Sequence, residues 1–370
     1  MVQPDVVIVG GGVIGASIAY YLSEQGGRVT LLERGHAGGH ASLASAGLLH
    51  PLRRDDAVDA LRELALASFA LFPDLVQRLR EISGIDPEYQ ASGWLLTATD
   101  EVESTELRSQ AQRADPAFGF RLITGAEARE MEPVLSPDIV TALHMPRGAQ
   151  VYVPSYLQAL THAAARLGAT IRRGVEVADL RVSDGRVTGV MTVDGEEIAA
   201  GQTVIAGGAW TAQTARRLGV ALPVFPLRGQ IMALHGIPAP LRRVIHGGEV
   251  YLSPKADGSI VVGATYEDAG FDDRLTADGM AYLFNSALKT APGLANATFR
   301  EAWVGLRPAS EDGIPILGAV PGWAGVLVAT GHRAEGVLLS PITGKLMAQY
   351  LRGEQTELSL APFDAGRFAV

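Results

Sequence analysis

Val6-Val7-Ile8-Val9-Gly10-Gly11-Gly12-Val13-Ile14-Gly15, followed 18 residues later by Glu33, is the stretch whose reading decides the fold. A short apolar run rich in β-branched residues reads as a buried parallel strand, the glycines as a tight turn, and residues 16–25 as the helix that follows. Each glycine has a task. Gly10 makes the turn, Gly12 leaves a pyrophosphate room to reach the backbone, and Gly15 lets helix and strand pack closely. The phosphate then meets the helix N-terminus, where unpaired N–H groups and the positive end of the dipole attract anions. Residues 28–32 read as a second strand ending at Glu33. There a carboxylate can accept hydrogen bonds from both hydroxyls of an adenosine ribose and repels a 2′-phosphate. The Gly26-Gly27 helix stop, the second strand and the terminal acid fall in register, which a chance glycine pattern does not provide. The pattern specifies a dinucleotide and leaves NAD or FAD open.

With 370 residues, 47% of them hydrophobic and 19% charged, the chain suits two globular domains. Its net charge of −9 and lack of a Lys/Arg cluster argue against nucleic-acid binding. Residues 6–22 carry no charge, yet their four glycines at turn spacing and the absence of a basic leader argue against a membrane span or signal segment, so a cytoplasmic location is expected. There is no cysteine, which removes disulfides, thiolate metal sites and a cysteinyl-linked flavin. Of the eight histidines only His36 and His40 are four apart, and Gly38-Gly39 between them argue for loop residues and no metal site.

Further along, residues 56–82 have helical apolar spacing interrupted by Pro73 and read as two helices. Residues 93–98 look like a strand, 101–114 and 156–167 like helices, and 170–172 and 176–182 like strands. Asp184-Gly185 and Asp194-Gly195 mark hairpin turns before a strand that ends in Gly207-Gly208. Small residues at that strand end let a second stretch of backbone approach the same cofactor. Residues 230–235, 249–253, 259–265 and 297–303 suggest an antiparallel sheet, and 326–332 return to the buried parallel style before a final helix over 336–351. A nucleotide domain assembled from residues 1–85, 145–220 and 305–370 is therefore expected, with a β-rich substrate domain of residues 86–144 and 221–304 inserted.

Five segments together, Gly10 to Gly15 with Glu33, Ala44-Ser45-Ala46-Gly47-Leu48, residues 204–210, Trp303-Val304-Gly305-Leu306-Arg307-Pro308, and Gly331-His332 with Gly336-Val337-Leu338-Leu339, resemble the D-amino-acid oxidase family of FAD enzymes. The match spans nearly the full length and keeps the order of the motifs. It implies an α/β fold with a discontinuous Rossmann-like FAD-binding domain and an inserted antiparallel-sheet substrate domain, and FAD as cofactor. On this resemblance Val13, Ile14, Glu33, Arg34, Ala41, Ser42, Ala46, Gly47, Leu48, Val177, His332, Arg333, Ala334, Glu335, Gly336, Val337 and Leu338 match FAD-binding positions, beside Gly10, Gly12, Gly15 and Gly207 from the glycine turns. Ser42 offers a hydroxyl to phosphate, Ala46-Gly47 lets backbone approach the isoalloxazine, and the helix starting at Gly336 aims its positive end at the ring.

The resemblance also implies a small amino acid as substrate, oxidised to an oxo acid with O2 as final acceptor, and a homotetramer. Arg307 matches the arginine that grips the substrate carboxylate through a planar fork. The other reading is a structural arginine paired with Asp312 or Glu311. Tyr251 matches a tyrosine that assists the carboxylate, its alternative being core packing, and Tyr266 at a strand end could roof the pocket. Glycine-oxidising members carry an arginine two positions after the histidine matching His332, whereas here Arg333 follows it directly, so a broader range of small amines and D-amino acids is expected. Rival readings are a dehydrogenase passing electrons to a quinone and a non-catalytic flavoprotein.

Overall fold

The computed structural model describes residues 3–35, 40–50, 59–114, 118–237, 240–248 and 250–368. His36, Gly38, Gly39, Asp56 and Glu249 lie outside the described residues. In chain order, β1 (Val6–Val9), α1 (Val13–Glu24) and β2 (Val29–Glu33) form the opening βαβ unit, with β1 and β2 parallel. The short α2 (His40–Leu43) and β3 (Leu48–Leu49) lead through α3 (Asp59–Ser83) to β4 (Trp94–Ala98), α4 (Glu101–Arg113), β5 (Arg121–Thr124), α5 (Gly125–Met131) and β6 (Thr141–Met145). Then β7 (Ala149–Gln150) and α6 (Val153–Arg166) return the chain to β8 (Thr170–Arg173), a meander of β9 (Val177–Ser183), β10 (Arg186–Thr192) and β11 (Glu197–Ala199), β12 (Gln202–Ile205) and α7 (Thr211–Arg216). A second β-rich stretch holds β13 (Val224–His235), β14 (Val244–Gly247), β15 (Val250–Pro254), β16 (Ile260–Gly263), α8 (Ala277–Thr290) and β17 (Thr298–Ser310). The chain closes with β18 (Ile316–Ala319), β19 (Val326–Thr330) and α9 (Gly336–Leu351).

Two large sheets organise these elements. The first has strand order β18-β19-β12-β1-β2-β8, all parallel except β18. Its central strands are apolar on both faces because both faces are covered. Val6 and Ile8 look towards a core shared with α1, α3, α6 and α9, while Val7 faces a core built with β10, β11 and α7. The second sheet, order β17-β13-β16-β15-β14-β4-β6-β5, is antiparallel apart from the β14–β4 pair. Its strands come from residues 94–145 and 224–310, with α5 and α8 packed on its outer core.

Three local expectations are corrected. The segment expected as two helices is one helix, α3, running through Pro73. Leu64, Phe69, Phe72, Leu75 and Leu79 are buried on both sides of the proline, and Pro73 itself is exposed, so packing outweighs the hydrogen bond the proline cannot make. His40, expected in a loop, opens α2. The strand expected to stop at Trp303 continues to Ser310, which places Arg307 inside β17 and not beyond it. A boundary at 304/305 would cut this strand. Pro308 is tolerated there because β17 is an edge strand, and it lies opposite Pro226 in the β13 register.

Candidate active site

One cavity of about 1620 Å³ runs from the carboxyl ends of β1, β2 and β12 to the inner face of the second sheet. At its nucleotide end the glycines are fixed by close approach. Gly10 has φ +113°, and a Cβ there would sit 2.3 Å from the Ala206 carbonyl oxygen at the end of β12. A Cβ on Gly15 would lie 2.0 Å from the Gly10 carbonyl oxygen, so α1 packs on the turn only because that atom is missing. Gly12 caps α1 with no side-chain hydrogen bond and lines the cavity with Val13 and Ile14. Ser42 Oγ accepts a hydrogen bond from the Val13 N–H at 3.0 Å, which leaves its own O–H to donate into the cavity. Buried Glu33 accepts from the Gly11 and Gly35 N–H groups, both at 2.7 Å, so its carboxylate is held rigid with lone pairs to spare. Beside it Arg34 stacks on Trp210, with 4.1 Å to the ring centroid.

The middle of the cavity is walled by Ala41, Ala44 to Ala46, Leu48, Val177 and Gly207. Trp303 Nε1 donates to the Ala44 carbonyl at 3.1 Å, and a Cβ on Gly305 would come 2.6 Å from the Ala44 Cβ, so β17 holds this wall in place. Gly47 does not line the cavity. Its φ of +73° and the Val151 carbonyl 2.0 Å from where its Cβ would stand explain the glycine, and Ala46 is the residue facing inward. On the opposite side His332 to Leu338 all line the cavity, and α9 starts there without a side-chain cap. His332 is buried, its Nε2 lies 3.1 Å from Thr343 Oγ1, and its Nδ1 has no partner among the described residues. Burial pushes its pKa down to about 3, so the ring is neutral. Arg333 is exposed, with φ +51°, and reaches towards Gly313.

At the far end Arg307 projects from β17. Its Nη1 donates to the Thr265 carbonyl at 3.0 Å and to the Arg228 carbonyl at 3.3 Å. No carboxylate pairs with it among the described residues; Asp312, one of its two expected structural partners, is taken by Arg367 at 2.7 Å. Tyr266, 58% exposed, lies over the guanidinium with 4.1 Å between charge and ring centroid. Tyr251 on β15 lies across Gly263, and burial, partly offset by Arg307 nearby, raises its hydroxyl above the usual phenol range. Sequence reasoning missed Gly229, where a Cβ would come 2.4 Å from Arg307 Nη1. An isolated glycine inside the β13 strand, between Arg228 and Gln230, was the available signal. It also missed the buried Arg228, whose ion pair with Glu267 ties β13 to the segment after β16, the two stretches that carry the Arg307 acceptors.

FAD passes the test these residues set. Two helix N-termini whose own N-cap residues make no side-chain hydrogen bond suit its phosphates and ring, the glycine turn admits a backbone-to-phosphate approach, and an orphaned imidazole nitrogen offers a polar contact. A glycine turn at one end of a cavity and a forked cation with no carboxylate partner among the described residues at the other fit a flavin-dependent oxidoreductase of two-sheet architecture. The comparisons give the family. The chain belongs to the DAO family, FAD dependent oxidoreductase, whose pattern matches residues 5–350. It is 38% identical to a glycine oxidase of Geobacillus kaustophilus (strain HTA426) over 368 residues, covering 98% of this chain and 97% of that protein. It is 34% identical to the bifunctional protein ThiO/ThiG of Trichormus variabilis over 98% of this chain and 55% of that protein. The crystal structure of glycine oxidase from Geobacillus kaustophilus superposes with a TM-score of 0.93 at 36% identity, covering 100% of both chains. Among the described residues no helix is long and apolar enough to cross a membrane, and no cluster of residues could hold a metal ion.

Proposed function

We propose that this protein oxidises small primary and secondary amino acids, glycine foremost, to the oxo acid and ammonia or amine. The observation that carries the reading is Arg307. One edge of its guanidinium is held by two carbonyls, no carboxylate neutralises it among the described residues, and it faces the cavity. The remaining N–H groups match the two oxygens of a substrate carboxylate, and the Tyr251 hydroxyl adds a donor. Bound FAD supplies the two-electron acceptor. Arg307 and Tyr251 fix the carboxylate so that the amine and the Cα–H bond face the Ala46 wall, and Tyr266 screens the site from solvent. The imine product takes up water and releases the oxo acid and ammonia, while O2 accepts the electron pair and two protons as hydrogen peroxide. From glycine the oxo acid is glyoxylate.

The same proposal assigns the first sheet and its helices to the cofactor and the second sheet to the substrate. Glu33 serves the adenosine ribose, Ser42 and the start of α1 the pyrophosphate, and Ala46, Leu48 and His332 to Leu338 the ring system. Likeness to ThiO/ThiG supports a role in making the thiazole part of thiamine. The tetramer implied by family resemblance is part of the proposal. The test is a panel of glycine, sarcosine and both alanine enantiomers, read by hydrogen peroxide under air and by bleaching of the flavin absorbance without oxygen. Bleaching with peroxide supports the reading. Bleaching without peroxide replaces O2 by another acceptor, and no bleaching by any of the four removes the substrate class.

A further inference from the structure

Behind the Ala46 wall lies a cation that the binding of substrate does not use. Lys255, just after β15, donates from Nζ to the Ala46 carbonyl at 2.6 Å and to Gln150 Oε1 at 2.8 Å. Gln150 is locked in turn: its Oε1 also accepts from Ser253 Oγ at 2.6 Å, and its Nε2 donates to the Pro254 carbonyl at 2.7 Å. Although the stem of Lys255 is only partly buried, no carboxylate touches its ammonium among the described residues. Glu88, on the segment before β4, and Asp257, in the turn after Lys255, act on it from a distance, and Asp257 is already paired with Arg300 of β17 at 2.6 Å. The β3 and β7 strands bring Leu48, Leu49, Ala149 and Gln150, none of them ionisable.

An ammonium is a costly way to tie one carbonyl to one neutral amide oxygen. A neutral donor would satisfy Ala46 without desolvating a charge. The position explains the choice. Ala46 lines the cavity and packs in one cluster with Ile231, Val261 and Ala264, against which Leu48, Tyr251 and Trp303 are laid. This is where the cofactor wall and the substrate wall meet. Two-electron reduction of a flavin with uptake of one proton leaves the ring with one more negative charge, and a fixed positive charge one peptide behind that wall favours the reduced form.

We infer that Lys255 is a positioning residue for the cofactor: its ammonium seats the Ala46 peptide against the isoalloxazine and supplies a positive field that draws electrons into the ring. The inference rests on the reading that the ring lies against Ala46. Burial brings the Lys255 pKa down to about 7, so the field is present in mild acid and fades as pH rises.

The experiment compares the FAD-loaded wild type with Lys255→Met and Ala46→Val, using the visible flavin spectrum and the equilibrium of bound flavin with a reference dye. Ala46→Val is expected to shift the flavin bands. Lys255→Met is expected to lower the reduced-to-oxidised ratio about tenfold at pH 6, the size of effect one nearby charge has in a protein interior, and to converge with the wild type at pH 9. An unshifted spectrum in Ala46→Val overturns the placement of the ring, and the inference with it. A shifted spectrum there, with wild-type dye equilibrium in Lys255→Met at both pH values, overturns the role of Lys255 alone. Should Lys255→Met fail to fold, Gln150→Glu keeps the ammonium and sets a carboxylate against it. The pH at which the ratio changes must then rise, and an unchanged midpoint overturns the inference.

Discussion

The two ends of the cavity are built from different materials. At the end proposed for the nucleotide the grip would be backbone: N–H groups at the start of α1, a turn that only glycine can make, and a carboxylate held by two further N–H groups. At the end proposed for the substrate the grip would be side chain, with Arg307, Tyr251 and Tyr266 carried on strands of the second sheet or at their ends. A backbone site has no tolerance for an added atom, because the atom it meets is another peptide. A side-chain site can be weakened or retuned while its sheet stays intact. The first kind suits a cofactor that never changes, and the second a substrate range that can drift.

The harshest way to test this contrast is to add one methyl group at the nucleotide end. In Gly10→Ala the new Cβ collides with the Ala206 carbonyl at a φ that L-residues rarely adopt, so a loss of about 3 kcal/mol or more is expected, along with most bound FAD. Thermal unfolding and the ratio of flavin to protein absorbance check it. Full flavin occupancy in that variant would show that the turn bends freely and that the contrast is wrong.

Removing a whole side chain at the other end should cost activity and leave the fold alone. Arg307→Ala is expected to lower kcat/KM for glycine by between about 10² and 10⁴, since two charge-assisted hydrogen bonds of roughly 1.5 to 3 kcal/mol each are lost. Flavin content should match the wild type. A change below threefold would assign carboxylate binding to some other residue. Arg307→Lys should recover only part of the loss, because an ammonium cannot reproduce the fork.

A smaller step sharpens the same point. Gly229→Ala sets a Cβ 2.4 Å from Arg307 Nη1, which pushes the guanidinium off the carbonyls that aim it. The expected result is a KM for glycine raised about tenfold with flavin occupancy unchanged, from a misplacement of under an ångström or so. Steady-state kinetics alongside the flavin spectrum give the answer. Loss of FAD here would mean that the two ends are not separable.

The contrast also explains what could be read from the sequence. Gly10, Gly15 and Glu33 were legible because backbone rules are local: strand, turn, helix and acid lie within some thirty residues, and each residue type has one physical reason to be there. Arg307 was legible as a residue of the cavity but misplaced as structure, since Pro308 reads as the end of a strand unless the strand is known to be an edge. Lys255 on Ala46 and Trp303 on Ala44 are separated by 209 and 259 residues, and no local pattern announces such pairs. The helix through Pro73 was lost for a related reason. Propensity breaks it, and a core made by distant segments restores it.

The effect at His332, on the seam between the two ends, is silent at neutral pH and appears only in acid. Its folded pKa of about 3 lies below the ordinary value of 6.5 because the ring is buried, so the unfolded chain binds a proton that the folded chain refuses between those two pH values. Stability attributable to His332 is therefore complete above pH 6.5 and drains away as pH falls towards 3. Relative to His332→Gln, whose amide can still reach Thr343, the wild type should lose up to ~1.4 kcal/mol per pH unit across that window and differ from the variant by a constant above it. Denaturant unfolding of the FAD-loaded proteins from pH 7 to pH 4 measures the difference directly. A difference that stays constant down to pH 4 would mean that the folded protein protonates His332 freely, which a sealed cofactor wall forbids and an open, water-filled one allows.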